Sequence, residues 1–270
     1  MLSYTDAHLH LQDAEFNGDR DAAVKRALDA GVKRFVCAGI SPEDWPALKR
    51  LARQYPQITA GYGVHPWYVD NLPSNWQGKL KDLLGEAEFA GETGLDKQLA
   101  KTDFSRQLDV FEIQLSLAAN LKKPAVIHCL KAHNELLKVL NAQENLPAFI
   151  LHAYSGSSEM AKEFLNLGAY FSFGAGALRD GSKAIKCVKE VPLPRLLVET
   201  DSPFMAPAAE FTKSDIISAG VTLKNGRLRN EPANIELTFR RIAQLRQMPL
   251  EALCGQVEKN ISAWLLNQSL

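Results

Sequence analysis

The stretch Tyr4-Thr5-Asp6-Ala7-His8-Leu9-His10 decides how this chain is read. It has the composition of a strand that ends in two histidines separated by one residue. In an extended backbone successive side chains point to opposite faces, so Asp6, His8 and His10 share one face. Two imidazoles on one face converge on one point, and neutral imidazole is the commonest ligand for zinc, nickel, iron or copper. Two surface histidines on an edge strand would satisfy the same short pattern. The rest of the chain decides between the two.

Outward from that strand, apolar, β-branched or Gly-containing runs alternate with helix-length amphipathic segments, the βα signature of a parallel sheet covered on both faces. Further strands are expected at 35–40, 58–65, 89–95, 124–129, 149–153, 170–173 and 196–200. A helix is expected over 19–30, stopped by Gly31. Another starts with Ser41 as its cap, Pro42 at its first position and Glu43 and Asp44 against the positive end of the macrodipole, and runs to 55. A short helix begins near Ser74. Phe104, Leu108, Phe111, Leu115 and Ala118 recur every three or four residues and form a core-facing stripe. Leu136, Leu137 and Leu140 mark the next helix; Ser157 or Ser158 caps the one after it, and Gly168 ends it. Two helical stretches, 232–247 and 250–266, close the chain. Eight strands with eight connecting helices predict a (β/α)8 TIM barrel, a fold of typically about 250 residues, as a single domain across 1–270. One long connection, 204–231, has no periodicity and follows the last strand, which places it over the mouth of the barrel.

Composition bounds the rest. With 270 residues, 46% hydrophobic, the chain can bury a large core. No run reaches the roughly 18 to 20 apolar residues of a membrane span, and no charged, apolar signal segment precedes the first strand, so a cytoplasmic protein is expected. Cys37, Cys129, Cys187 and Cys254 form no C-x-x-C pair and read as buried free thiols. The 31 basic residues balance 31 acidic ones. That leaves no global field to hold a polyanion, so nucleic acid would be held locally. Nothing in the sequence calls for an obligate protein partner.

Five of the six histidines fall at or just after the end of an expected strand: His8 and His10, His65, His128 and His152. Only His133 does not. Glu92 and Asp201 end strands four and eight in the same way. In barrels of this class the active site lies at the C-terminal face, where side chains from several strands meet. An acid closing an apolar strand is costly to bury unless it is paired or binds metal. His8, His10 and Asp201, from neighbouring strands one and eight, are expected to hold one divalent ion, His128 and His152 a second, with Glu92 as the bridge. Zinc, magnesium or manganese suit the set. Two ions about 3.5 to 4 Å apart would clamp the attacking and leaving oxygens of a displacement, with Asp201 as the proton acceptor. His65, in Gly63-Val64-His65-Pro66, is a candidate substrate contact, as are Lys131 and Arg229. Glu199 and Asp6 share faces with the ligands and are candidates to orient them.

The ordered motifs resemble the TatD family of metal-dependent deoxyribonucleases, within the wider amidohydrolase-like barrels. They are D-A-H-L-H at 6–10, G-V-H-P at 63–66, G-E-T-G-L-D at 91–96, Gln107 with Phe111 and Gln114, P-A-V-I-H-C from Pro124, H-A-Y-S-G at 152–156, E-T-D-S-P at 199–203 and R-N-E-P from Arg229. The resemblance implies a two-metal hydrolase of DNA phosphodiesters ligated by His8, His10, Glu92, His128, His152 and Asp201. It departs from the family at Leu130, where members commonly carry an arginine suited to clamping phosphate. Two rival readings are a two-metal hydrolase of a small ester, lactone or amide on the same barrel, and a non-catalytic metal-binding protein. Barrels of the former kind often bridge their metals with a modified lysine at strand four, where this chain has Glu92.

Overall fold

Strand β1 (Tyr4–Leu9) is buried at every position, as a strand must be when it lines the centre of a barrel covered by helices. The computed structural model describes residues 2–98, 102–207 and 222–266. Within them β1 is followed by β2 (Val32–Gly39), β3 (Ile58–Tyr62), β4 (Phe89–Asp96), β5 (Ala125–Leu130), β6 (Phe149–Leu151), β7 (Tyr170–Gly174) and β8 (Leu196–Glu199). The eight pair in sequence order, each parallel to the next. The barrel is drawn together at its C-terminal mouth by two backbone bonds, Asp201 N–H to His8 O (3.0 Å) and His10 N–H to Ser202 O (2.8 Å). Those bonds join the ends that carry the proposed ligands.

Helices α1 (Arg20–Asp29), α2 (Trp45–Gln54), α3 (Trp76–Glu86), α4 (Phe104–Asn120), α5 (His133–Asn141), α6 (Ser158–Asn166), α7 (Lys183–Glu190) and α8 (Ile235–Arg246) surround the strands, and α9 (Leu250–Leu265) follows. The expected stripe on α4 is there, with Phe111, Leu115 and Ala118 buried and Phe104 and Leu108 partly so. Ser157 is the cap of α6, its hydroxyl accepting from Met160 N–H. At the opposite end of the barrel from the mouth, Trp264 of α9 packs its ring 5.3 Å from that of Phe89, the first residue of β4. All four cysteines are buried free thiols. No helix among the described residues is long and apolar enough to cross a membrane.

Three departures from the sequence reading have local causes. Helix α2 begins at Trp45, not at Pro42, because the Asp44 carboxylate turns back to accept from Ile40 N–H and Ser41 N–H and holds 41–44 as a turn. Strand β3 stops at Tyr62, and His65 instead caps one turn of 3-10 helix over Pro66–Tyr68, its Nδ1 accepting from Trp67 N–H. Helix α7 fills the connection between β7 and β8, a stretch to which the sequence assigns no bounds of its own among the eight expected helices. Of the long connection at 204–231, residues 208–221 lie outside the described residues; its return is tied down by a bridge between Thr222 and Leu228. One glycine is demanded by the site: a Cβ on Gly94 would stand 2.0 Å from His128 O, at a φ of +143°. Only glycine lets β4 approach β5 this closely beside His128.

Candidate metal centre

Glu92, nearly fully buried, stands at the middle of the mouth with its two oxygens facing different groups. Oε2 lies 3.3 Å from His8 Nε2 and 3.3 Å from His10 Nε2. Oε1 lies 2.8 Å from His152 Nε2, 3.3 Å from His128 Nδ1 and 3.3 Å from His65 Nε2. Asp201 Oδ1 joins the first group, 3.4 Å from His10 Nε2 and 3.7 Å from His8 Nε2. The ligand atoms of three sets fall within 4.8 Å of one another: His8, His10 and Glu92; His8, His152 and Asp201; His65, Glu92 and His128. The structure therefore brings together all six residues proposed as ligands, and adds His65 to their circle.

The other ring nitrogen sorts these histidines by role. His10 Nδ1 is 2.9 Å from the Ala38 carbonyl, which can only accept, so Nδ1 carries a proton and Nε2 is the nitrogen turned to the centre. His128 Nε2 faces Asp96 Oδ2 at 3.3 Å, so its Nδ1 is the nitrogen turned inward. A carbonyl or carboxylate behind an imidazole is how metal-binding histidines are usually held. His65 is the reverse. Its Nδ1 accepts from Trp67 N–H (3.1 Å), which leaves an N–H on Nε2, a donor directed at Glu92 and not a metal ligand. His8 is fully buried, and neither ring nitrogen has a hydrogen-bond partner among the described residues; His152 Nδ1 is likewise without one. Buried polar atoms are normally satisfied. Orphaned nitrogens beside carboxylate oxygens fit a cation in the midst of the cluster.

The electrostatics agree. Among the described residues Glu92 and Asp201 pair only with histidines, never with lysine or arginine. Burial would raise the Glu92 carboxyl, but His152, His65, His8 and His10 hold it well below its ordinary value. Burial likewise opposes the charge on Asp201, and the hydrogen bond from His10 with the neighbouring imidazoles keeps it low. Burial and the neighbouring His152 push His8 down to about 4, a neutral imidazole at physiological pH. Against burial, bonds to Asp96 and Glu92 bring His128 up to about 9. The protein groups alone thus draw protons into a pocket that holds two carboxylates, and a metal ion would displace those protons.

Both residues proposed to lie behind the ligands are buried there, though they act through backbone. Asp6 accepts from Thr200 N–H (2.9 Å) and its hydroxyl (2.5 Å), tying β1 to β8 one residue before Asp201. Glu199 accepts from Ala153 N–H (2.7 Å) and from the Ser172 hydroxyl, fixing the chain just after His152. Burial pushes Asp6 up to about 8 and Glu199 up to about 7. Lys131 is exposed just past β5. Arg229 is not placed to meet a phosphate. Its guanidinium is 1% exposed and bonded to Asp19 (2.6 and 2.8 Å), Glu231 (3.0 Å) and the Glu15 carbonyl, over the face of Phe16. With those acids around it, it is a structural cation.

Asp96 is the residue that sequence reasoning quoted but gave no role. It closes the G-E-T-G-L-D motif, bonds His128, and accepts from Trp67 Nε1 at 2.8 Å. Gln107 of α4 holds the backbone N–H and carbonyl of Asp96, and Gln114 does the same for Val64, beside His65. The signal was the recurrence of both glutamines one helix turn apart from Phe111 on the buried face.

Comparison with known proteins agrees with the geometry. The profile of the family described as TatD related DNase matches residues 5–265. A 3'-5' ssDNA/RNA exonuclease TatD of Salmonella typhimurium is 30% identical over 264 residues, 94% of this chain and 96% of that protein. An uncharacterized metal-dependent hydrolase, YabD, of Bacillus subtilis is 28% identical over 260 residues, 94% of this chain and 96% of its own. The crystal structure of YJJV, a TatD homologue from Escherichia coli K12, superposes with a TM-score of 0.86 at 25% identity, covering 97% of each chain.

Proposed function

The chain belongs to the TatD related DNase family of metal-dependent hydrolases, and from that premise we propose that it is a two-metal phosphodiesterase that removes nucleotides from single-stranded DNA ends. The observation that carries this reading is the position of Glu92, with one oxygen towards His8 and His10 and the other towards His128 and His152. One carboxylate facing two sets of lone pairs is the arrangement of a bridge between two ions. His8, His10 and Asp201 would hold one and His128 and His152 the other, with zinc, magnesium or manganese compatible and the nitrogen-rich set favouring a transition metal. Such ions supply Lewis acidity and a nucleophilic water at neutral pH.

The chain's own groups do the rest. Asp201, ionised and 3.4 Å from His10 Nε2, takes the proton of the attacking water. His65 presents its Nε2–H to the same space and donates to a non-bridging phosphate oxygen, with Lys131 on the rim as the one further phosphate contact. The names of relatives such as the Salmonella typhimurium exonuclease support single-stranded ends as substrate. The test is to incubate metal-reconstituted and chelated protein with single-stranded DNA, duplex DNA and a panel of carboxylic esters and lactones. Metal-dependent release of nucleotides from single strands is expected. Hydrolysis confined to the carboxylic esters, or nuclease activity that survives full chelation, contradicts the reading.

A further inference from the structure

Among the described residues the exposed large apolar side chains are Trp67 (50%), Tyr68 (41%) and Leu266 at the far end of the chain. Two exposed aromatic rings in succession are costly to leave in water unless something covers them. Both stand beside the metal centre: the His65 ring is 5.0 Å from that of Trp67 and 6.4 Å from that of Tyr68. Trp67 does not swing freely, because its indole N–H is fixed on Asp96, the carboxylate that also holds His128. The position of this ring is therefore set by the same group that orients a metal ligand.

Trp67 and Tyr68 also form one wall of a cavity of about 710 Å³. Its other walls carry Asp13, Glu43, Asp44 and Asp70 against the single cation Arg50. A phosphate would be repelled there. A flat, neutral ring with N–H groups would not, and Gln12, a buried lining residue, keeps its Oε1 without a hydrogen-bond partner. Gln12 also donates to the Ala38 carbonyl (2.7 Å), the one that takes the His10 Nδ1–H, so the cavity and the metal centre share a wall.

Resting on the nuclease reading, we propose that Trp67 and Tyr68 are a stacking platform for one unpaired nucleobase, whose own phosphate then lies at Glu92 and Asp201. The acidic cavity admits the base and excludes the next phosphate, so the strand enters in one orientation. A base held in a duplex cannot enter the cavity from the platform, since its hydrogen-bonding edge is engaged by its partner strand and its inner face by the next pair; single-strand selectivity then comes from this ledge. Base stacking on aromatic side chains tolerates any sequence and typically improves binding by roughly 5- to 150-fold per base.

The test compares a single strand bearing a normal base at the cleaved end with the same strand carrying an abasic residue there. In the wild type kcat/KM should favour the base by roughly 5- to 150-fold. Trp67→Ala and Tyr68→Ala should bring that ratio towards one whatever their absolute rates, and Trp67→Phe should restore it. Trp45, Trp76 and Trp264 are buried, so stopped-flow quenching of tryptophan fluorescence by the base-bearing strand reports on Trp67 directly. If strands are cleaved without quenching, or the ratio is unmoved in both alanine variants, the platform is refuted and the nuclease reading stands. If quenching is seen and is lost in Tyr68→Ala, but no strand is cleaved, the platform stands and the nuclease reading fails alone.

Discussion

Two clusters of buried charge lie within this barrel, and they are built on opposite plans. Around Arg229 the charges close: Arg229 and Arg26 face Asp19 and Glu231, and Arg26 bonds both acids, to Asp19 at 3.0 Å and to Glu231 at 2.7 Å. At the mouth they do not. Among the described residues Glu92 and Asp201 pair only with imidazoles, and neither ring nitrogen of His8 has a hydrogen-bond partner. A cluster that neutralises itself holds segments together, here the start of α1 and the return of the long connection. A cluster left with lone pairs and carboxylates but no fixed cation is a place for an ion. The two should therefore fail differently when broken.

The largest effect is expected at the open cluster. Asp201→Asn keeps the side chain's shape but removes the proton acceptor, and turnover on single-stranded DNA should fall by about 10²- to 10⁴-fold. Its thermal midpoint under chelation should stay near that of the wild type. Turnover at the wild-type level would move the base to Glu199. The closed cluster should show the reverse pattern. Arg229→Met leaves the buried Glu231 and the half-buried Asp19 to Arg26 and should cost about 1.5–3 kcal/mol of unfolding free energy in urea, as the loss of hydrogen bonds to charged groups does, with metal content at permissive temperature intact. Wild-type stability in that variant would mean the cluster does not fasten α1.

The closed cluster also has its own pH signature. The Arg229 guanidinium, with Arg26, holds the Asp19 carboxyl down to about 2 from an ordinary 3.8. A carboxylate lowered in the folded state stabilises above its unfolded value and loses that contribution as pH falls through its folded one. Wild-type stability should therefore decline between about pH 4 and pH 2, and Arg229→Met should be flatter in that window when urea midpoints are compared.

A smaller effect sharpens the contrast from the ligand side. Asp96→Asn leaves all six proposed ligands in place but weakens the hold on His128, and metal affinity by competition with a chelator should drop about 10- to 100-fold. Unchanged affinity would mean His128 is positioned by packing alone. Smallest of all, Leu130→Arg on the last residue of β5 should improve capture of single-stranded DNA a few-fold and steepen the salt dependence by about 0.7 of a unit, as one added phosphate contact on a single strand does. An unchanged salt slope would mean that β5's end does not face the strand.

The open cluster was legible in the sequence and the closed one was not, for the same physical reason. Candidate metal ligands are marked by type and by place at strand ends, so His8, His10, Glu92, His128, His152 and Asp201, which the structure gathers at the mouth, could be named as candidates from the βα rhythm. The role of Arg229 depends on Asp19, 210 residues away, whose apposition no local pattern records. Asp96 fell between the two: its motif was visible, but its partner His128 comes from the neighbouring strand, two residues before Leu130, with which Asp96 is in register. The start of α2 was misplaced because an Asp44 side chain competing for backbone N–H groups has the same composition as a helix N-terminus.

The central claim is that Glu92 bridges two ions. Anomalous diffraction at the absorption edge of the bound metal, on crystals grown with zinc or manganese, tests it most directly. The account predicts two peaks per chain, one on each side of Glu92, with the first against His8, His10 and Asp201 and the second against His128 and His152. A single peak that leaves either set of histidines unligated, or two peaks that do not share Glu92, would contradict it.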